Sequence, residues 1–196
     1  MATRNRHKFR ELKALLRVRG IRWRSLGEFP RVREVKETGR TFAANARKKA
    51  LAVAKATGCV ALADDSGLEV AALGNAPGVR SARFAGGHGD DEANNRKLLR
   101  LLGHRPPAQR GARYRCVLTL ASPRRVLSTV QGTWEGRIAV RSAGARGFGY
   151  DPVFLVPKFG KTVGQLPLRV KQRLSHRAAA ARRMLALLRR LNATNR

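Results

Sequence analysis

The stretches ARYRCVLTLA (112–121) and RVLSTVQGTWEG (125–136) are two long β-like runs joined through SPRR. They are rich in β-branched and aromatic residues, with a Ser-Pro junction between them, and so predict a β-hairpin. What surrounds the hairpin alternates between helical and strand-like pattern. Phe9, Leu12, Leu15 and Leu16 recur at helical spacing, predicting a helix over 5–19 that stops at Gly20. A second helix is expected from Thr41 to Thr57, capped by Thr41, closed by Gly58, with Phe42, Ala46, Ala50 and Val53 on its apolar face. CVALA (59–63) fits a short buried strand that ends on Asp64 and Asp65, and LEVAAL (68–73) a further short element. Residues 74–89 are Gly-rich and predict a loop, after which Asp90 and Asp91 open a helix. A second Gly-rich loop, RSAGARGFGYDP, precedes the strand VFLV (153–156), and Ser175 caps a strong final helix, SHRAAAARRMLALLRRLN. Interleaved strands and helices without repeat or linker predict an α/β fold with a mixed sheet, residues 1–196 forming a single domain.

Composition adds one unusual fact. Hydrophobic residues make up 43% of the 196 and charged residues 28%, ordinary for a folded chain, yet 42 Lys+Arg face 12 Asp+Glu and the formal net charge is +30. The basic residues are mostly Arg and run along the whole chain. They fit either a general arginine bias or an affinity for polyanions such as nucleic acid, where counterion release favours binding. Cys59 and Cys116 are isolated and make no disulfide framework, and no CxxC suggests zinc. The N-terminus is basic but no apolar segment of a signal peptide follows, and nothing approaches a membrane span. A soluble, cytoplasmic protein is expected.

Four polar stretches and the start of the last helix are the places where chemistry is expected. DDSG (64–67) sets two carboxylates side by side, which repel unless a cation or several donors stand nearby. Mg²⁺, which takes one or two carboxylates plus substrate phosphates, fits such a pair, and so does a plain capping or Asx-turn role. TRNRHK (3–8) leads into a helix whose free N–H groups suit an anion, although no Walker A loop is present. ETG (37–39) supplies a further acid. In GFGYDP (147–152), Phe148 or Tyr150 can stack on a base and Asp151 can accept hydrogen bonds from it, or the ring can pack beneath its own loop. SHR (175–177) carries little information alone.

In order, the motifs ATxNxxKxxEL, ETGxTFxxNAxxKA, ADDSGLxVxxLxxxPGxxSAR, GFGYDPxF and KxxxSHR resemble the inosine triphosphate pyrophosphatase family over nearly the whole chain. The resemblance implies Mg²⁺-dependent hydrolysis of ITP, dITP and XTP to monophosphate and pyrophosphate. It implies a long mixed β-sheet flanked by helices, with two lobes and a nucleotide cleft between them, in a homodimer. Asp65 would be the general base, with Lys49 the second catalytic residue, and Glu37 and Asp65 would hold the metal. Thr3, Arg4, Asn5, Lys8 and Ser66 would bind the triphosphate. Phe148 would stack on the base beside Gly149, Tyr150 and Asp151, while Lys171, His176 and Arg177 complete base and phosphate recognition.

Departures from the family pattern are equally legible. In the family an apolar strand usually precedes ATxN, so a truncated N-terminal strand is expected here, with a start upstream of Met1 as the expected explanation. Arg4 stands where a small Gly is usual, with the expectation of a strained turn or an added phosphate contact. Lys36 replaces one acid of a pair before TG, and Gln165, Arg169 and Val170 stand where acids are common. The alternative function is a weakly active or inactive homologue that binds nucleic acid through its basic surface.

Overall fold

Two signals at the ends of one helix show how local sequence sets the elements. In the computed structural model, which describes residues 1–87 and 89–194, Thr41 Oγ1 accepts the N–H of Ala44 at 3.1 Å, and Gly58 closes the helix in the left-handed region at φ 67°. Between them runs α2 (Phe42–Thr57), with the boundaries expected. The first helix, α1 (Arg6–Leu15), is shorter than its periodicity predicts. Residues beyond Leu16 instead fold back, held by Trp23 Nε1 donating to the Leu16 carbonyl at 2.8 Å.

The expected hairpin is present as β2 (Gly111–Ala121) and β3 (Val126–Ile138), closed by Ser122 N–H donating to Arg125 O at 2.9 Å. β2 alternates in burial up to Cys116 and is buried at every position from there to Ala121. That switch from alternation to a continuous apolar run marks a strand covered on both faces. CVALA and LEVAAL are not two elements. One strand, β1 (Ala61–Val70), runs straight through Asp64, Asp65, Ser66 and Gly67. Adjacent acids read as a strand end only if water must solvate them; here Lys8 and Arg177 from distant segments pair with Asp64.

The five strands lie in the order β1-β2-β3-β4-β5, with β4 Phe154–Val156 and β5 Lys161–Thr162. β3 pairs antiparallel with β4 (Arg137 opposite Leu155), and β4 with β5 (Leu155 opposite Thr162). The remaining helices are α3 (Asp91–Leu102), α4 (Leu168–Leu174) and α5 (His176–Thr194). The α/β class is as expected. β5 and α4 were not foreseen, being too short for a periodic signal. The Gly-rich segment after β1 contains a 3₁₀ helix over Gly78–Arg83; His88, in the same expected loop, lies outside the described residues. No helix among the described residues is long and apolar enough to cross a membrane.

The chain forms two compact units, with boundaries falling inside β1, β2 and β3. The first comprises residues 1–65, 116–132 and 177–196. Its core includes Leu12, Leu62, Leu118, Leu120 and Met184, with Ala50, Ala54 and Ala63 in a second cluster. The second comprises 66–115 and 133–176, packed around Leu68, Leu98, Tyr114, Trp134 and Phe154. At the start of the chain, Ala2 N–H donates to Leu62 O at 2.7 Å, so the first residues pair with β1. The Met1 amine donates to Arg24 O at 2.6 Å, and burial pushes its pKa down to about 6.

Candidate active site

In the first unit, the two adjacent aspartates of β1 take opposite roles because alternate strand residues meet different neighbours. Asp64 is buried and receives Lys8 Nζ on Oδ1 at 2.6 Å. Its Oδ2 takes Arg177 Nε at 3.4 Å and the Cys116 thiol at 3.1 Å. Burial alone would push this carboxyl up, but Lys8, Arg177 and Lys49 overturn that and hold it well below the usual carboxylate range. The Cys116 thiol is raised by burial and by Asp64, so it stays protonated and donates. Arg177 also binds Glu11 of α1 at 2.5 Å, and the two carboxylates raise its pKa against the effect of burial.

Asp65 is the reverse case. Its Oδ1 lies 3.6 Å from Lys49 Nζ, while Oδ2 is buried and has no hydrogen-bond partner among the described residues. Burial raises its pKa to about 6; Lys49 pulls it down, and Glu37 pushes it further up. Lys49, from α2, bridges the cluster: its Nζ donates to Glu37 Oε1 and to the Asp64 carbonyl, both at 2.6 Å. Burial lowers the pKa of this ammonium, but Asp65, Glu37 and Asp64 outweigh it, and the net shift is upward. Glu37 reaches the cluster from an ETG turn that passes close to α2. Gly39 N–H donates to Asn45 Oδ1 at 2.7 Å, and a Cβ on Gly39 would collide with that oxygen and with Ala44.

At the entry to α1, Thr3 Oγ1 accepts Asn5 N–H at 3.1 Å, and Asn5 Oδ1 caps the helix by accepting the N–H groups of His7 and Lys8. The Asn5 side-chain carbonyl is therefore used within the fold. Arg4 does not have a positive φ, and its guanidinium reaches a distant segment: Nη2 donates to Val32 O at 2.8 Å. Among the described residues, Asn75 is the one non-glycine with positive φ. Lys36 is exposed.

The second unit holds the other cluster. Asp151 Oδ2 accepts Lys171 Nζ at 2.6 Å and the Phe148 N–H at 3.0 Å, and Oδ1 accepts the Tyr114 hydroxyl at 3.2 Å. Lys171 Nζ lies 4.3 Å from the centroid of the Phe148 ring, a cation–π contact. Tyr114 stacks on His176 at 4.6 Å and 16°. Tyr150 hydroxyl donates to Ser81 O at 2.8 Å, and burial raises its pKa. The loop is held from α3: Gly149 N–H donates to Asp91 Oδ2 at 2.6 Å, and Asn95 Nδ2 donates to Gly149 O at 3.0 Å. Ser66 follows Asp65 in β1, half-buried.

The expected residues thus fall into two groups: Thr3, Arg4, Asn5, Lys8, Glu37, Lys49, Asp65 and Arg177 in the first unit, and Ser66, Phe148, Gly149, Tyr150, Asp151, Lys171 and His176 in the second. Sequence reasoning missed Asp64 as the counter-ion of two cations, along with Glu11, Cys116, Tyr114, Asp91 and Asn95. Asp64 was visible as half of an acidic pair; the others carried no local signal.

The first unit thus holds a cluster of buried charges beside a capped helix N-terminus, and the second a loop with a lysine against an aromatic ring. Residues 1–187 match the Ham1 family, and the chain belongs to that family. It is 51% identical over 191 residues to the dITP/XTP pyrophosphatase of Desulforamulus reducens, covering 97% of this chain and 95% of that one. It is 47% identical over 196 residues to the dITP/XTP pyrophosphatase of Rhodopirellula baltica, covering 100% and 94%. Among solved structures, a HAM1 protein from Coxiella burnetii superposes with a TM-score of 0.87 at 40% identity over 95% of each chain. A nucleoside-triphosphatase / dITP/XTP pyrophosphatase from Mycobacterium abscessus does so at 0.77 and 42%, over 95% of this chain and 97% of that one. The family inferred from the motifs is the one found.

Proposed function

We propose that the protein hydrolyses deaminated purine nucleoside triphosphates (ITP, dITP, XTP) at the α-phosphorus, releasing monophosphate and pyrophosphate. The observation that carries this reading is Asp65: a buried carboxylate with a pKa of about 6 and an oxygen that lacks a partner. Such a group is poised to accept a proton from water near neutral pH. Lys49 orients it, and Lys8 with the positive end of the α1 dipole offers positive charge to phosphate oxygens. Arg177 acts through Asp64, fixing the carboxylate that holds Lys8.

The donor set suits Mg²⁺. Asp65 Oδ2 is an unfilled acceptor near Glu37, and among the described residues no three His, Cys, Asp or Glu gather into an all-protein cage. That pattern fits an ion completed by water and substrate phosphates, held by Asp65 and Glu37. When bound, the cation neutralises phosphate charge developing in the reaction.

For the base, Phe148 offers a stacking face, and Lys171 and His176 supply donors suited to a 6-oxo group. Adenine presents an amino group there and leaves such donors unpaired, a mismatch that discriminates strongly. A homodimer in the cytoplasm remains part of the proposal.

Incubation with Mg²⁺ and ITP, XTP, dITP, GTP or ATP in parallel tests it. Preferential release of pyrophosphate from ITP, dITP and XTP is expected; equal turnover of ATP, or none of any, would overturn it. The base loop gives a sharper check. Gly147 has φ 85° and a Cβ there would land on the Asp151 carboxylate. Gly147→Ala is expected to raise KM for ITP by about tenfold or more, since both backbone and Asp151 must shift, and unchanged kinetics would remove Asp151 from base recognition.

A further inference from the structure

Helix α1 has two working faces. Lys8, Glu11 and Leu12 lie on one, where Lys8 meets Asp64, Glu11 meets Arg177, and Leu12 is in the core. Arg10 and Lys13, three residues apart, lie on the opposite face, and Arg17 follows just past the end of the helix. These cations cannot serve the cluster around Asp65. They border a groove of about 1030 Å³ on the first unit, together with Arg19 and Arg22 from the segment that folds back after α1. All five are exposed, and the single acid on the groove, Glu28, is taken by Arg24 Nε at 3.2 Å and Ser25 N–H at 2.7 Å. Among the described residues, Arg10, Lys13, Arg17 and Arg22 form no ion pair.

The floor differs in kind from the rim. Phe9 and Trp23 are half-buried there, and Trp23 is pinned at its edge by the hydrogen bond to Leu16 O. Pinning the indole nitrogen fixes the ring without covering it. A rim of guanidinium groups above a floor with two aromatic rings is the arrangement that takes a phosphate backbone along its charges and unpaired bases onto its rings. A duplex, whose bases are already stacked, would leave the floor unused.

We propose that this groove binds single-stranded nucleic acid, with Arg10, Lys13, Arg17 and Arg22 contacting backbone phosphates and Trp23 and Phe9 stacking on bases. The inference stands apart from the pyrophosphatase reading, because none of these residues belongs to the cluster around Asp65. It also differs from diffuse attraction by a charge of +30, since it assigns the affinity to one place.

The test is fluorescence anisotropy with a labelled 20-nucleotide oligo(dT), oligo(U) and a mixed-sequence duplex, over a salt series and without nucleotide or Mg²⁺. Arg10→Gln/Lys13→Gln/Arg17→Gln is compared with Arg141→Gln/Lys158→Gln/Lys161→Gln, three exposed cations of the second unit. The groove variant is expected to lose about tenfold or more in affinity and to flatten the log K against log salt slope by roughly 2, as loss of three phosphate contacts requires. The second-unit variant should stay within about twofold of wild type. Trp23→Phe should abolish the quenching of tryptophan fluorescence on oligonucleotide addition, the other tryptophan being Trp134. A preference for oligo(dT) or for oligo(U) identifies the natural source, and both support the shared chemistry. Equal losses in both triple variants, equal affinity for duplex, or quenching that survives Trp23→Phe would each overturn the proposal. Circular dichroism and ITP turnover of the groove variant, both expected at wild-type values, separate loss of binding from loss of fold.

Discussion

Asp65→Asn is expected to lower turnover by about a hundredfold to ten-thousandfold, the range for removal of a general base, while circular dichroism shows the fold unchanged. The same substitution is expected to stabilise the protein at pH 8. Burial lifts the folded pKa of Asp65 from 3.8 to about 6, so folding favours its protonated form. Stability from this group is therefore present below pH 3.8 and lost as pH rises through about 6, where the buried carboxylate must carry charge. Asn carries none. The gain at pH 8 is on the order of 3 kcal/mol and falls below about 1 kcal/mol near pH 4. Activity of the wild-type enzyme without excess divalent cation should correspondingly fall on the acid side of about pH 6. Urea unfolding at both pH values, beside kcat for ITP, checks the set. An Asp65→Asn protein that turns over ITP at the wild-type rate would end the general-base assignment.

Asp64→Asn is expected to do the opposite, costing about 3–5 kcal/mol of stability at pH 7, because it strips the counter-ion from a buried cation pair. Lys8 and Arg177 both rest on Asp64, and Arg177 is almost fully buried. The folded pKa is depressed here, so the contribution is present above pH 3.8 and is lost only as pH falls through a value well below it. Destabilisation by Asp64→Asn should accordingly be undiminished at pH 5. Urea midpoints at pH 5 and 7 test this, and a loss under about 1 kcal/mol would show that Glu11 alone suffices to hold Arg177. The two neighbours thus separate cleanly: one substitution spares the fold and removes the chemistry, the other undermines the fold.

Much of this was legible in the order of residues. Thr41 and Gly58 bracket α2 as their chemistry requires, because a cap and a left-handed C-terminus are local events within a few residues. The hairpin of β2 and β3 followed from composition and a turn, and Asp90 caps α3 by accepting Ala93 N–H at 2.8 Å. The strand through ALADDSGLEV was not legible. Two adjacent acids argue for solvent until Lys8 from α1 and Arg177 from α5 arrive to satisfy one of them. Likewise Asp91 and Asn95 looked like ordinary residues at the start of a helix, and only the fold brings them to Gly149.

The sequence by itself determined most element types, their capping, the family and the motif residues from which the candidate site is proposed. Only the tertiary structure decided which aspartate is held charged by Lys8 and Arg177 and which has its pKa pushed up to about 6 by burial. It also decided that Arg10, Lys13, Arg17, Arg19 and Arg22 border one groove. The physical reason is range. Caps, turns and periodicity act between residues close in the chain, whereas desolvation and Coulomb interaction depend on which groups are close in space, and those come from α1, α2, β1, β2 and α5 together.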